Sequence, residues 1–292
     1  MRIQSVLAFL LSLALAAAAR ASDPVIDANF PGGNVVVDSV SPDGLVKLRP
    51  DLRDTRGDWF YTAFRVRGAQ GRTLRFEFDA PNRVGARGPA VSSDGGATWR
   101  WLSPTPDADS QRFEYAFGEN ETEVLFALSP LYTGANWDNF IAKYQGREGF
   151  TPFTLCKARD GSDVRALAIA PTGADAKYGV TLTARHHACE AMASFLLEGL
   201  IDEIMSDGAA GRTLREKCEF FVVPFVDAPG VEAGDQGKNR EPHDHNRDYA
   251  QAIYPSVREL KRYTAERFAD KRVVFMDWHC PWIRGGKYNE NI

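Results

Sequence analysis

The sequence predicts two parts of different class, an all-β sandwich followed by an α/β domain. From about residue 24 to 150, polar and apolar residues alternate in short runs separated by Gly and Pro, the two-residue period of half-buried strands. After residue 150, apolar runs of strand length alternate with segments of helical period, the pattern of a mostly parallel mixed sheet with helices packed on it. A third observation concerns chemistry. All five histidines (His186, His187, His243, His245 and His279) lie in the second part, so imidazole chemistry belongs there.

Residues 1–21 read as a signal peptide. Arg2 precedes an apolar run over 6–19, and Ala19-Arg20-Ala21 supplies the small-x-small cleavage pattern. That run is short for a bilayer span, which needs about 20 residues. The mature protein is therefore expected to carry no membrane span and to be exported, periplasmic or secreted. With 292 residues, 44% hydrophobic and 25% charged, the chain has an ordinary globular composition, which excludes disordered and fibrous classes. The net charge of −4, with no basic block, gives no footprint for nucleic acid.

The sandwich is expected over 22–150. Residues 59–66 are aromatic and β-rich. TLRFEF at 73–78, RFEYAF at 112–117 and EVLF at 123–126 follow the alternating or apolar pattern of strands. About seven short strands in that span suggest antiparallel sheets packed face to face. Ser92-x-Asp94-x-Gly96-x-Thr98-Trp99 matches the Asp-box hairpin of sialidase-type propellers. A propeller repeats such a unit in every blade, so one copy reads as a stable turn.

The α/β domain is expected over 151–292. Residues 164–170, 179–184, 219–224 and 272–276 read as strands, and 256–269 as a charged helix. Residues 188–205 form a helix candidate whose apolar stripe is Ala191, Phe195, Leu196, Leu200, Ile201 and Ile204. Cys156, Cys189, Cys218 and Cys280 allow three complete disulfide pairings, and buried thiols with one bridge are the simplest reading. Asn120-Glu121-Thr122 is a glycosylation sequon of the kind that arises often by chance.

The strand at 179–184 runs directly into Arg185-His186-His187-Ala188-Cys189-Glu190, where His187 and Glu190, three residues apart, face one point from a helix start. The strand at 272–276 ends in Asp277-Trp278-His279. Ligands in open α/β sheets gather at the carboxyl ends of strands, where both groups fall. Two imidazoles and a carboxylate make a catalytic zinc set with a position left for water. A His-x-x-Glu alone is common. The polar segment 237–249, which follows the strand at 219–224, adds the weight that the short motif lacks.

Taken together, these residues resemble the zinc metallocarboxypeptidases of the carboxypeptidase A type, and most closely the branch containing the cytosolic carboxypeptidases. The resemblance rests on Arg185-x-His187-x-x-Glu190, Arg240, Asp244-x-Asn246-Arg247 and Asp277-x-His279, in matching order and approximate spacing. That branch also carries a β-sandwich ahead of its peptidase domain. Trp59-Phe60, Ser93-Asp94-Gly95 with Trp99, and Pro130 with Tyr132-Thr133 look like its landmarks. The resemblance implies one Zn2+ per chain, bound by His187, Glu190 and His279. It implies that Asn246 and Arg247 hold the C-terminal carboxylate of a peptide or protein substrate. It further implies that Arg240 stabilises the oxyanion and that Asp244 orients His187. His186, His243 and His245 receive no role, and Asp277 is either a partner of a ligand or a strand-end residue. Asp227-Ala228-Pro229-Gly230 departs from the family's usual Asn-Pro-Asp-Gly turn.

A larger departure lies beyond His279. The family's general-base glutamate stands well downstream on a later strand, whereas the residues printed after His279 contain a single acid, Glu290. The expectation is a catalytic domain incomplete at its C-terminus, with no general base in the chain. Such a chain can hold metal and a C-terminus but hydrolyses poorly. The alternatives are a zinc-dependent deacylase or amidase on the same scaffold, and a non-catalytic zinc-containing binding protein.

Overall fold

A computed structural model of the chain describes residues 23–56, 60–81, 83–85, 87–102 and 111–280. The signal-peptide segment, Trp59 and Glu290 lie outside those residues. So does the stretch after residue 280 on which the expected incompleteness turns.

The first part contains β1 (Val25–Asp27), β2 (Val36–Val40), β3 (Leu45–Arg49), β4 (Ala63–Arg67), β5 (Thr73–Phe78), β6 (Ala90–Ser92), β7 (Arg100–Trp101), β8 (Arg112–Ala116) and β9 (Glu123–Ala127). They form two sheets, in the orders β1-β4-β9-β6-β7 and β2-β3-β5-β8. Alternation decides which side chains meet. Leu74, Phe76 and Phe78 of β5 and Phe113 and Tyr115 of β8 bury in the same cluster as Phe64 of β4 and Phe126 of β9. Phe76 stacks on Phe113 at 4.7 Å and meets Phe126 at 5.3 Å, so aromatic rings join one sheet to the other. Two details differ from expectation. Among the described residues the strands number nine, because several are too short to show a period, and β3 pairs with β5 in parallel. The Asp-box motif is the turn between β6 and β7. There the Asp94 carboxylate accepts from Thr98 N at 2.9 Å and Thr98 Oγ1 at 2.6 Å, hydrogen bonds that hold its pKa at about 2.

The second part contains α1 (Gly134–Ala142), β10 (Phe150–Lys157), β11 (Asp163–Ile169), β12 (Tyr178–Ala184), α2 (Met192–Met205), α3 (Ala209–Lys217), β13 (Cys218–Val223), α4 (Ala228–Ala233), α5 (Pro255–Arg267) and β14 (Arg272–Trp278). Its sheet has the order β10-β11-β13-β12-β14. Both pairings of β12 are parallel, whereas β10–β11 and β11–β13 are antiparallel. The sheet is therefore mixed, and parallel only around β12. The hairpin from β10 to β11 is the reason, because a short turn can join only antiparallel strands.

Both faces of this sheet are covered over β13, whereas the edge strand β14 is exposed from Arg272 to Met276. Phe220 and Val222 of β13 share a core with Trp137 and Phe140 of α1 and with Leu197, Ile201 and Ile204 of α2. Phe221 and Val223 point the other way, toward Val257 and Leu260 of α5. A strand covered on both faces becomes a continuous apolar run, which explains the CEFFVV sequence of β13. The expected stripe of α2 is only partly right. Ile201 and Ile204 are buried with Leu197, but Phe195 and Leu196 are exposed at 36% and 51%. Tyr132, Trp137 and Phe140, which precede residue 150, pack in the α/β core. The four cysteines are free thiols. No helix among the described residues is long and apolar enough to cross a membrane.

Candidate metal centre and substrate site

The site lies at the carboxyl ends of β12 and β14, whose register pairs Ala184 with Trp278. Ligand-bearing loops leaving adjacent parallel strands at the same height must meet. After β12 the chain turns sharply, with Arg185 at φ 59°, in the left-handed region that side chains other than Gly rarely adopt. The buried Arg185 guanidinium holds this turn. Nε donates to Ala188 O at 2.8 Å, and Nη1 donates to Tyr132 O at 2.9 Å and Ser194 Oγ at 3.1 Å. His187 and Glu190 therefore stand on a tight turn that precedes α2, not on the first turn of the helix as expected. The segment after α4 crosses this turn closely. A Cβ on Gly237, itself at φ +73°, would lie 2.4 Å from Ala188 N, so only glycine fits there.

His187, Glu190 and His279 form one cluster, with one candidate ligand atom from each lying within 4.8 Å of the others. His187 Nδ1 is 3.0 Å from Glu190 Oε1, and His279 Nδ1 is 2.7 Å from Glu190 Oε2. The far ring nitrogens face acids. His279 Nε2 lies 2.7 Å from Asp277 Oδ2. His187 Nε2 lies 3.8 Å from Asp244 Oδ2, an ion-pair distance that leaves this buried nitrogen without a hydrogen bond. Asp244 Oδ1 accepts from Arg247 N at 3.1 Å, which caps the short 3₁₀ turn His245–Arg247 and aims Oδ2 at the imidazole.

The charges support one another. Hydrogen bonds to Asp277 and Glu190 push His279 up to about 10. Burial opposes the charge on Glu190, but hydrogen bonds from His187 and His279 outweigh it and hold the carboxyl at about 2. Burial likewise opposes a proton on His187, yet Asp244 and Glu190 raise its pKa. Two imidazoles turned toward both oxygens of one carboxylate, each backed by a further acid, form a donor set that fits a zinc ion.

The other expected residues divide. Asn246 reaches the site, with Nδ2 3.0 Å from Asp277 Oδ2 and 2.7 Å from His279 Nε2. Arg247 is exposed, and its Nη1 donates to Asn246 Oδ1 at 3.1 Å. Arg240 sits differently from the expected oxyanion donor. Its Nε and Nη2 donate to Asp54 Oδ2 at 2.9 and 2.7 Å, Nη2 donates also to Asp235 Oδ2 at 3.0 Å, and Nη1 donates to the buried Asp227. Every nitrogen of the fork is committed to a carboxylate, so in this structure Arg240 is a strut. It ties the segment after α4 to the first part of the chain, alongside backbone bonds from Arg56 N to Asn239 O and from Glu241 N to Asp54 O, both 2.9 Å. Asp227 also accepts from Gly230 N at 3.1 Å, which shapes the departed turn.

Three residues without an assigned role find places. His243 Nε2 bonds Asp248 Oδ1 at 2.7 Å, and His245 stacks on Tyr254 at 3.8 Å, with burial and then Arg240 driving its pKa down to about 3. His186 is fully buried, between Asp277 and Tyr249. The clue to Asp277 lay in its two-residue spacing from His279, which puts both side chains on one side of an extended strand end. Nothing in the linear sequence marked Tyr249.

With this geometry in view, the comparisons are decisive for the second part. Residues 143–272 match the family model of the zinc carboxypeptidases. That span, under half of the chain, is similar to a zinc carboxypeptidase domain. Cytosolic carboxypeptidase 3 of Mus musculus is 26% identical over 304 residues, covering 92% of this chain and 30% of that protein. An uncharacterised protein of Zymomonas mobilis is 26% identical over 269 residues, covering 87% of this chain and 67% of that protein. The chain thus spans about two thirds of one relative's length and under one third of the other's. Among solved structures, a metallo-carboxypeptidase from Pseudomonas aeruginosa in complex with (2-guanidinoethylmercapto)succinic acid superposes with a TM-score of 0.74 at 24% identity. That match covers 87% of this chain and 69% of that one. One from Burkholderia cenocepacia gives 0.73 at 21% identity, covering 89% and 72%. At these identities the superpositions show a shared fold.

The strut makes a prediction for the carboxypeptidase domain. Arg240→Ala leaves Asp227 buried without its cation and Asp235 with Arg53 alone, which should cost about 3–5 kcal/mol in denaturant unfolding. Zinc uptake should survive at temperatures where the variant is folded. A variant of parental stability would show that the guanidinium is no strut.

Proposed function

We propose that this chain is a zinc metallocarboxypeptidase that acts on the C-terminal residues of peptides or proteins, with one Zn2+ held by His187, Glu190 and His279. The observation that carries the reading is the convergence of both Nδ1 atoms on the two oxygens of Glu190, with Asp244 and Asp277 behind the rings. Zinc bound there supplies a polarised carbonyl and a water of lowered pKa. The protein's residues do the rest. Arg247, exposed beside the cluster, offers a guanidinium fork to a substrate's terminal carboxylate, and Asn246 stands between that fork and His279. Asp244 orients His187. Among the described residues, the acids nearest the cluster each serve a histidine: Glu190 as a ligand, Asp244 and Asp277 as partners. Hydrolysis therefore needs a further carboxylate as general base, which none of those residues supplies. We also read the first part as a β-sandwich domain over 22–150, the carboxypeptidase domain as 151–292, and residues 1–21 as an export signal. N-terminal sequencing of protein recovered from outside the cytoplasm should begin near residue 22; an intact Met1 on that material would refute cleavage, and recovery of the protein only from the cytoplasm would refute export.

Zinc uptake checks the ligand set. The full chain should bind about one zinc, and His187→Ala should lose it; equal metal content in both proteins would sink the assignment. Affinity should rise with pH. In the metal-free site His279 holds a proton up to about 10, and that proton must leave before the ring can bind metal. Raising the pH from 6 toward 9 removes the competing protons, so chelator competition should show progressively tighter binding. A flat profile would contradict the coupled histidines.

Peptides differing only at the terminus check the reaction. A peptide with a free C-terminus should bind, and be trimmed where a general base is present, while its C-terminal amide should do neither. Arg247→Ala should weaken the free peptide by about 10-fold or more, the worth of a charge-assisted contact. Equal handling of acid and amide would favour the amidase reading instead.

A further inference from the structure

Behind His279 lies a chain of side chains that the zinc reading does not use. Asp277 sits at the end of β14, and four hydrogen-bond donors surround its carboxylate. Oδ2 faces His279 Nε2 at 2.7 Å and Asn246 Nδ2 at 3.0 Å. Oδ1 faces His186 Nδ1 at 2.7 Å and Thr183 Oγ1 at 2.9 Å. An ionised carboxylate offers about four acceptor sites and no donor, so this arrangement fills it. With zinc on His279 Nδ1, the atom turned toward Glu190, the ring's one proton sits on Nε2 and is donated to Asp277 Oδ2; Asn246 Nδ2, 2.7 Å from the same Nε2, then directs its hydrogen to Asp277. His186 must donate from Nδ1, so its Nε2 is an acceptor, and the Tyr249 hydroxyl donates to it at 2.8 Å. One consistent set of donors then runs from Tyr249 through His186 and Asp277 to His279.

We infer that Tyr249 and His186 are positioning residues which, acting through Asp277, fix the tautomer and ring orientation of the metal ligand His279; the inference rests on the zinc reading above. Full burial makes this role specific to His186. Its ring has no exposed surface, so each nitrogen must find its partner inside the protein. Without the Tyr249 hydroxyl, Nε2 loses its acceptor role and the ring is free to adopt the other tautomer. Asp277 would then lose the donor to Oδ1 and could turn away from His279. The three side chains come from the loop after β12, the segment after the 3₁₀ turn and the end of β14. The array thus locks three separate segments onto one ligand.

The test uses the full chain, with zinc affinity read by chelator competition and ligand geometry by the visible spectrum of the cobalt(II)-substituted protein. Asp277→Asn should weaken zinc by about 10–100-fold, the usual cost of losing a ligand's carboxylate partner. Tyr249→Phe and His186→Ala should weaken it by smaller factors, about 3- to 10-fold, and each should shift the cobalt bands. In the double variant Asp277→Asn with Tyr249→Phe, the tyrosine change should add nothing, because it acts only through Asp277. If His186→Ala fails to fold, Tyr249→Phe decides, since it removes only a hydroxyl. Parental affinity and an unchanged cobalt spectrum in Tyr249→Phe would overturn the array while leaving the ligand set standing. Additive losses in the double variant would overturn it too, and a parent protein that takes up no zinc would overturn both readings.

Discussion

The site depends on β12 having parallel neighbours on both sides. That arrangement brings the carboxyl ends of β12, β13 and β14 to one edge, so the turn with His187 and Glu190, the segment from Asp227 to Tyr249, and His279 all start from the same level. An antiparallel neighbour would send His279 to the far edge. The register, Ala184 beside Trp278, sets the distance finely enough for two imidazoles to share one carboxylate. Phe268 supports this locally: a Cβ on Gly179 would overlap its ring at 2.2 Å, so the bare glycine lets the chain entering β14 pack against β12. The candidate metal site is thus a consequence of sheet topology, with side chains as its last detail.

The segment from Asp227 to Asp248 has little regular structure, and something else must hold it. Part of the answer is charge. Arg240 gathers Asp54, Asp227 and Asp235, and Arg53 adds a second cation 2.6 Å from Asp235 Oδ1. Burial raises the pKa of Asp227 and Asp235, yet each keeps a cationic partner. Because Asp54 and Arg53 belong to the first part of the chain, the two parts are joined through the loop that shapes the site. The β unit therefore also braces the loop that carries Arg240, Asp244 and Asn246.

Much of this was legible in the sequence, for identifiable reasons. Alternation in TLRFEF placed β5 at its observed limits, because one of its faces is buried and the other exposed. The apolar CEFFVV run marked a strand covered on both faces. The zinc candidates were legible because they follow strand ends. Other features were hidden because partners distant in sequence create them. Helix α1 reads as loop until the core that receives Trp137 and Phe140 is known. The ion pairs of Arg240, read from the sequence as an oxyanion donor, were hidden because nothing in its neighbourhood announces Asp54, 186 residues earlier. Phe195 and Leu196 fit a helical stripe by spacing, but the turn at Arg185 rotates α2 so that Leu197, Ile201 and Ile204 face the sheet.

The two candidate ligand histidines are held by different means, and the difference bears on how firmly each stands. The acid behind His187 is itself fastened by a backbone N–H, so its position follows the 3₁₀ turn. The acid behind His279 is fastened by side chains alone, His186, Thr183 and Asn246, drawn from three places in the chain. A backbone anchor tolerates substitution around it, because the donor remains whatever side chain follows. A side-chain anchor has no such reserve. Losing one donor leaves a buried acceptor unsatisfied, at a cost of about 1–3 kcal/mol, and frees the carboxylate to turn. His187 is thus secured by local chain geometry, whereas His279 is secured by agreement among several residues. On that argument the His279 side is where distant changes in this domain reach the candidate metal cluster.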